Sequence, residues 1–247
     1  MIDLERLYKL TFTKQLVDDS TEYASKLLSV KAKKKVPKQS PREAYIHIVL
    51  DSFSELSKIA ENLDYCEIFL KSYFVSKAWR NKYDKNHYIT YHYEMWVINS
   101  IRFYERMLIL IDSVYDLEID HRDVSYKSIS AHEGLTGSDT LKVLNRIHAA
   151  LSPLQGLKNQ VFHRYIYTDK EIGDISMHEF LGRNSKKDDA KKFKIYAKIK
   201  MSIYVAKKRE EVNKNNKALI DAAEALIKTL DIKYIAQRDS LSNTIEP

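Results

Sequence analysis

The apolar positions along the chain fall in helical stripes, separated by a few polar or proline-marked breaks. Leu4, Leu7, Leu10, Leu16, Tyr23, Leu27 and Leu28 give a first, loose stripe over 3–34, which runs into the basic KAKKK of 31–35. The linker VPKQSPR follows, with Pro37 and Pro41. Ser40 before Pro41 is a helix start: the serine oxygen caps orphan amides, and proline lacks only an N–H that the first turn does not use. A second helix is predicted from there to about Asn62, on Ile46, Val49, Leu50, Phe53, Leu56 and Ile59. A third segment spans Tyr65 to about Trp79 and ends in the polar RNKYDKNH of 80–87.

The strongest pattern covers Tyr88 to Leu117. On a wheel of about 100° per residue, Trp96, Val97, Ile101, Phe103, Tyr104, Met107, Leu108, Leu110, Ile111, Val114 and Tyr115 fill roughly half the circle. Glu94, Arg102, Glu105, Arg106, Asp112, Ser113 and Asp116 take most of the rest, with Ile98 and Ile109 intruding. So wide an apolar arc predicts a central helix contacted on several sides. The polar sector is either a solvent face or a wall lining a site. Arg102 and Arg106 form a like-charge i,i+4 pair, which is unfavourable unless an anion lies between them.

Residues 120–139 carry loop signals, DHRDVS and GLTGSD, with a short helix expected near Tyr126 to Glu133. Ser138 or Asp139 caps the next helix, whose face is Leu141, Val143, Leu144, Ile147 and Leu151. Ser152–Pro153 is expected to stop it and restart another that carries Lys158, Asn159 and His163. After Tyr167 the pattern predicts a loop with at most a short turn at 177–181. A last helix runs from about Asp188 past Leu230, with the polar EEVNKNN of 210–216 expected to fray or bend it.

Composition agrees with an all-α class. Only 5 Gly and 4 Pro among 247 residues leave few tight turns. The net charge of +7 favours anionic partners, nucleic acid first and a membrane surface second. From Lys186 to Lys214 there are eleven Lys and Arg against four Asp and Glu, an excess equal to that of the whole chain. A solvated helix face accounts for such a run as well as an RNA-binding face does. Cys66 is the sole cysteine, so an intrachain disulfide and a multi-cysteine zinc site are excluded. The N-terminal residues lack the apolar core of a signal peptide, and the most apolar run, MLILI at 107–111, is far below the roughly 20 residues of a membrane span. A cytoplasmic protein without a membrane segment is the expectation.

Several familiar motifs fail on spacing. His121–Asp123 reads HRD, but Ser128 stands where a kinase catalytic loop has asparagine, and no glycine-rich phosphate loop occurs. The HE pairs at His132 and His178 lack the second histidine of a zincin. His87, His92 and Glu94 fit no standard metal spacing. No metal and no cofactor is expected.

The remaining constellation is LKNQVFHR, Leu157 to Arg164. Asn159 and His163 are i,i+4 neighbours on a helix, so the amide can orient the imidazole. Lys158 sits about 140° from His163 around the same helix. Two copies related by a two-fold axis would bring one cation and one histidine to a shared phosphate, which predicts a symmetric dimer. Histidine moves protons near neutral pH, and a cation stabilises phosphate charge. A histidine bonded within a packing face is the alternative explanation.

A helical bundle with this pattern late in its core resembles the HEPN superfamily, whose usual motif is R-x4–6-H. LKNQVFHR is similar to its RNxxxH form, with Lys158 in place of the arginine. The resemblance implies one all-α HEPN-like domain over 1–247: an N-terminal helix (1–36), a core holding the motif (42–185) and a basic C-terminal helix (186–247). It also implies a dimeric, metal-independent endoribonuclease of toxin or antiviral-defence type, with a possible antitoxin or defence-system partner protein. His163 would transfer protons, Lys158 would stabilise the phosphate, and Asn159 would orient His163 or the substrate. Arg164, Tyr165, Arg102 and Arg106 are the expected RNA-binding residues. Lysine lacks the bidentate fork of arginine, so a non-catalytic HEPN-like module binding RNA or a protein is the second expectation.

Overall fold

The computed structural model describes residues 3–31, 39–71, 85–163 and 169–242, together with no strand among them. The all-α class is therefore the observed one. The helices are α1 (Glu5–Tyr8), α2 (Thr11–Lys31), α3 (Pro41–Lys71), α4 (Lys85–Tyr115), α5 (Tyr126–Ala131), α6 (Asp139–His163), α7 (Lys170–Asn184) and α8 (Lys187–Ser242). A 3-10 turn, Glu133–Leu135, follows α5. No helix among the described residues is long and apolar enough to cross a membrane.

The chain forms two compact units. One takes in Asn62–Ile101 and Pro153–Ala218; the other takes in Asp3–Glu61, Arg102–Ser152 and Leu219–Pro247. In the second unit, Phe12 and Leu16 of α2 are buried, and Phe12 meets Phe53 and Tyr234 edge-on at 6.1 and 5.4 Å. Tyr45 stacks on Tyr234 at 5.8 Å and donates its hydroxyl hydrogen to the Val114 carbonyl at 2.9 Å. Asp19 lies beneath this aromatic group. It accepts from the Tyr234 hydroxyl at 2.8 Å and from the Arg238 guanidinium at 2.9 and 3.2 Å.

The core of the other unit is built around Trp96, which is fully buried. Its ring N–H donates to the Asn216 side-chain oxygen at 2.8 Å. The Asn216 amide donates in turn to the Leu63 carbonyl and to Glu67, both at 3.4 Å. Burial would raise the Glu67 carboxyl, but positive charge beside it, including the Lys71 ammonium at 2.7 Å, outweighs burial and holds the group below the usual carboxylate range. Burial pushes the nearby Cys66 thiol up to about 11, against a hydrogen bond from Asn99, so it stays protonated and unreactive.

Helix boundaries depart from the sequence expectation at five places. The first stripe is cut at Lys9–Leu10, and the Thr13 hydroxyl satisfies the Leu7 carbonyl at 2.7 Å. α3 continues through Asn62 because Leu56, Ala60, Leu63, Glu67 and Leu70 keep one buried stripe while Asn62 points outward. α6 is unbroken at Pro153, since Leu144, Ile147, Leu151 and Leu154 continue the inward face across it. α8 passes straight through EEVNKNN because Lys208, Val212 and Asn216 recur at four-residue steps and are all buried. The apparent polar break is an inward-facing polar seam.

The fifth departure is α7, where a loop was expected. Only Ile175 and Gly182 of this helix are buried, so its apolar pattern is weak. Its start is fixed by Asp169, whose Oδ1 accepts from the Glu171 N–H at 2.9 Å while Oδ2 meets the Tyr204 hydroxyl at 3.0 Å and the Lys208 ammonium at 3.3 Å. Burial would raise the Asp169 carboxyl; the Glu171 amide and Lys208 outweigh it and hold it low. A carboxylate lowered in the folded state contributes stability above its unfolded pKa and loses it as pH falls through the folded one. Asp169→Asn is thus expected to lose about 2 kcal/mol at pH 7 and less at pH 3. Urea unfolding at both pH values checks this, and an equal loss at both would contradict it.

Ser40 and Ser138 cap as expected. Ser40 Oγ accepts from the Glu43 N–H at 3.3 Å while Glu43 returns the bond to the Ser40 N–H at 3.0 Å, a full capping box. Ser138 accepts from the Leu141 N–H at 3.1 Å.

Candidate functional site

The residues of LKNQVFHR up to His163 form the final turns of α6. The side chains of Lys158, Asn159 and His163 lie outside the described part of the structure, and so do Arg164, Tyr165 and Tyr167 entirely. The helical backbone keeps the angular relation the sequence implied: Asn159 and His163 one turn apart, Lys158 and His163 about 140° apart. The motif belongs to the same compact unit as the basic stretch of α8.

Arg102 and Arg106 both sit on α4, in the other unit. Arg102 is exposed. Arg106 pairs with Glu55 of α3 at 2.5 Å. The anion that the like-charge pair calls for is therefore supplied by the chain's own carboxylate at Arg106. The apolar arc of α4 is buried as expected, apart from a half-buried Tyr115.

Of the eleven cations from Lys186 to Lys214, all but Lys208 and Arg209 are exposed. Lys208 has a structural role: besides Asp169 it meets Glu211 at 3.4 Å and lies over the Tyr93 ring at 4.2 Å. Lys207 pairs with Glu171, and Lys192 with Asp189 at 3.5 Å. Two further cations lie close to this face, outside the stretch the sequence singled out. Lys85 and Arg183 line a cleft of about 280 Å³ together with Lys194 and Lys198. The i,i+4 spacing of Lys194 and Lys198 was a legible signal; nothing in the sequence links them to Lys85 or Arg183.

The discarded motifs have local structural roles. The HRD residues are exposed, and Asp123 lends its carbonyl to the Ser128 hydroxyl at 2.7 Å. His132 Nδ1 accepts from the Gly134 N–H at 3.2 Å, and His178 bonds the Asp174 carbonyl at 2.8 Å. His92 lies among the rings of Phe69, Tyr88 and Tyr91 at 4.4–5.2 Å, and burial lowers its pKa.

No protein-family model, curated protein or solved structure matches the chain. The functional reading therefore stands on the motif, the charge distribution and the fold class alone.

Proposed function

We propose that the protein is a metal-independent endoribonuclease of HEPN-like type, acting as a homodimer. The observation that carries this reading is the KN-x3-H spacing in the last turns of α6, within the unit that also holds the exposed basic face of α8. An imidazole and an ammonium suffice for cleavage of RNA by its own 2′-hydroxyl. The 2′-oxygen gives up its proton and attacks the adjacent phosphorus. The bond to the 5′-oxygen breaks, that oxygen takes a proton, and a 2′,3′-cyclic phosphate remains. His163 serves the proton transfers, Asn159 orients its ring, and Lys158 of the opposing copy stabilises charge on the phosphate. Arg164 and Tyr165 are assigned to binding the strand, with α8 providing the long-range attraction.

A second copy also gives a purpose to an apolar stripe. Ile195, Ile199 and Ile203 of α8 recur at four-residue steps and are each more than half exposed. Burying an isoleucine is worth about 1.5–3 kcal/mol, so this stripe is the proposed dimer face. Sedimentation of the purified chain should give a dimer, and Ile199→Glu with Ile203→Glu should shift it to monomer; an unshifted dimer would remove the stripe from the interface.

Lys158 in place of arginine favours a second reading, an RNA-binding module without catalysis. Incubation with single-stranded RNA in EDTA separates the two. Products ending in 2′,3′-cyclic phosphate support the nuclease, whereas salt-sensitive binding of intact RNA selects the binding module.

A further inference from the structure

We infer that the cleft bounded by the start of α4, the end of α7 and α8 is a binding site for a phosphate group. Its volume is about 280 Å³, and its polar lining is four cations, Lys85, Arg183, Lys194 and Lys198, against one carboxylate, Glu179. That carboxylate is already engaged: it accepts from the Asn86 amide at 3.0 Å and lies 3.8 Å from Arg183. Lys85, Lys194 and Lys198 have no carboxylate within ion-pair distance among the described residues. Lys194 and Lys198 are a like-charge i,i+4 pair, which is unfavourable without an anion. Each of these features is relieved by one multiply charged anion in the cleft.

The walls suit such a ligand. Ala197 and Met201, both buried, give the cleft its apolar lining. Gly182 lets α7 lie directly against α8: a Cβ there would stand 2.8 Å from Lys194 Cγ and 3.3 Å from the Lys194 backbone nitrogen. The close approach draws Arg183 and the α8 lysines to one opening. Arg183 offers a planar fork to two phosphate oxygens, and the lysines act as point charges. The volume is at the small end for ligand pockets, which start near roughly 300 Å³. That suits a phosphate monoester or a mononucleotide, carried either by a free nucleotide or by an RNA strand.

The test is calorimetric titration of the full chain with AMP, with adenosine as the uncharged control, and with a 2′-O-methyl oligoribonucleotide that cannot be cut. Lys194→Gln with Lys198→Gln removes two lining charges. Lys14→Gln with Lys58→Gln removes two exposed charges that lie outside both the cleft and α8. All four lysines are exposed, so both variants should fold, and thermal melting verifies it. AMP binding that the cleft pair weakens by about tenfold or more, with adenosine silent and the control pair within about twofold, supports the site and a free phosphate ligand. Unmeasurable AMP binding, with the same contrast seen for the oligonucleotide, supports the site and a strand phosphate. Equal effects of the two pairs on every probe, or no binding of any probe, overturn it. Phosphate binding does not depend on the nuclease reading: a chain that binds here and cuts no RNA keeps the site and loses the nuclease.

Discussion

Replacing Asp19 by alanine is expected to cost about 3 kcal/mol of stability, because it leaves the Tyr234 hydroxyl without its acceptor and Arg238 with only the exposed Asp239 carboxylate. Asp19 has a side chain only 7% exposed, and Arg238 one of 12%. The carboxylate takes the Tyr234 hydroxyl and two bonds from Arg238, with Arg42 at 3.6 Å completing the group. Burial first, and then Asp19, raises the Tyr234 pKa far above the ordinary phenol value, so the hydroxyl remains the donor. Tyr234→Phe removes that donor and keeps the ring against Phe12 and Tyr45, so its loss should be nearer about 1 kcal/mol. Urea unfolding of the two single variants and the double variant isolates the coupling. If Asp19→Ala costs no more than Tyr234→Phe, the carboxylate does not hold this core together.

The second large effect is expected at His163. General acid–base catalysis by one positioned side chain typically contributes about 10²–10⁴-fold, and His163→Ala should lose RNA cleavage by that order. Lys158→Ala should also lose most of the activity, and the double variant little more than either alone, since groups acting on one phosphate are not additive. RNA binding should persist in both variants, because the exposed cations of α8 are untouched. A variant that loses binding and cleavage together would place these residues in strand recognition rather than in proton transfer.

The fold was most legible where one face is consistently apolar. The arc of α4 from Trp96 to Val114 was visible on a wheel and is buried almost as drawn. The caps at Ser40 and Ser138 were equally plain, because a short polar side chain before a helix has few other uses. The expectation failed where burial runs against residue type. Lys208 and Asn216 are both buried residues of α8, yet composition marks their neighbourhood as a break. Their environment is supplied by Tyr93, Asp169, Trp96 and Glu67, all remote in sequence. α7 was invisible for the same reason: its partners include Asn86, which reaches Ser176 and Glu179, and Lys207, which reaches Glu171.

The candidate chemistry divides in the same way. A motif within one helix turn, such as Asn159 and His163, is readable because helix geometry fixes the spacing. The cleft cations come from three helices, α4, α7 and α8, and only the Lys194–Lys198 step lies within one of them. The pairing of Arg106 is not readable from its own helix, because its carboxylate partner, Glu55, comes from a different one.

The most direct measurement is cleavage of single-stranded RNA in EDTA by the wild-type chain and by His163→Ala, purified in parallel and matched in melting temperature. The proposed function predicts 2′,3′-cyclic phosphate products from the wild-type chain and a loss of about 10²-fold or more in the variant. Equal cleavage by the two proteins, or none by the wild type at a protein concentration that binds RNA, would contradict it.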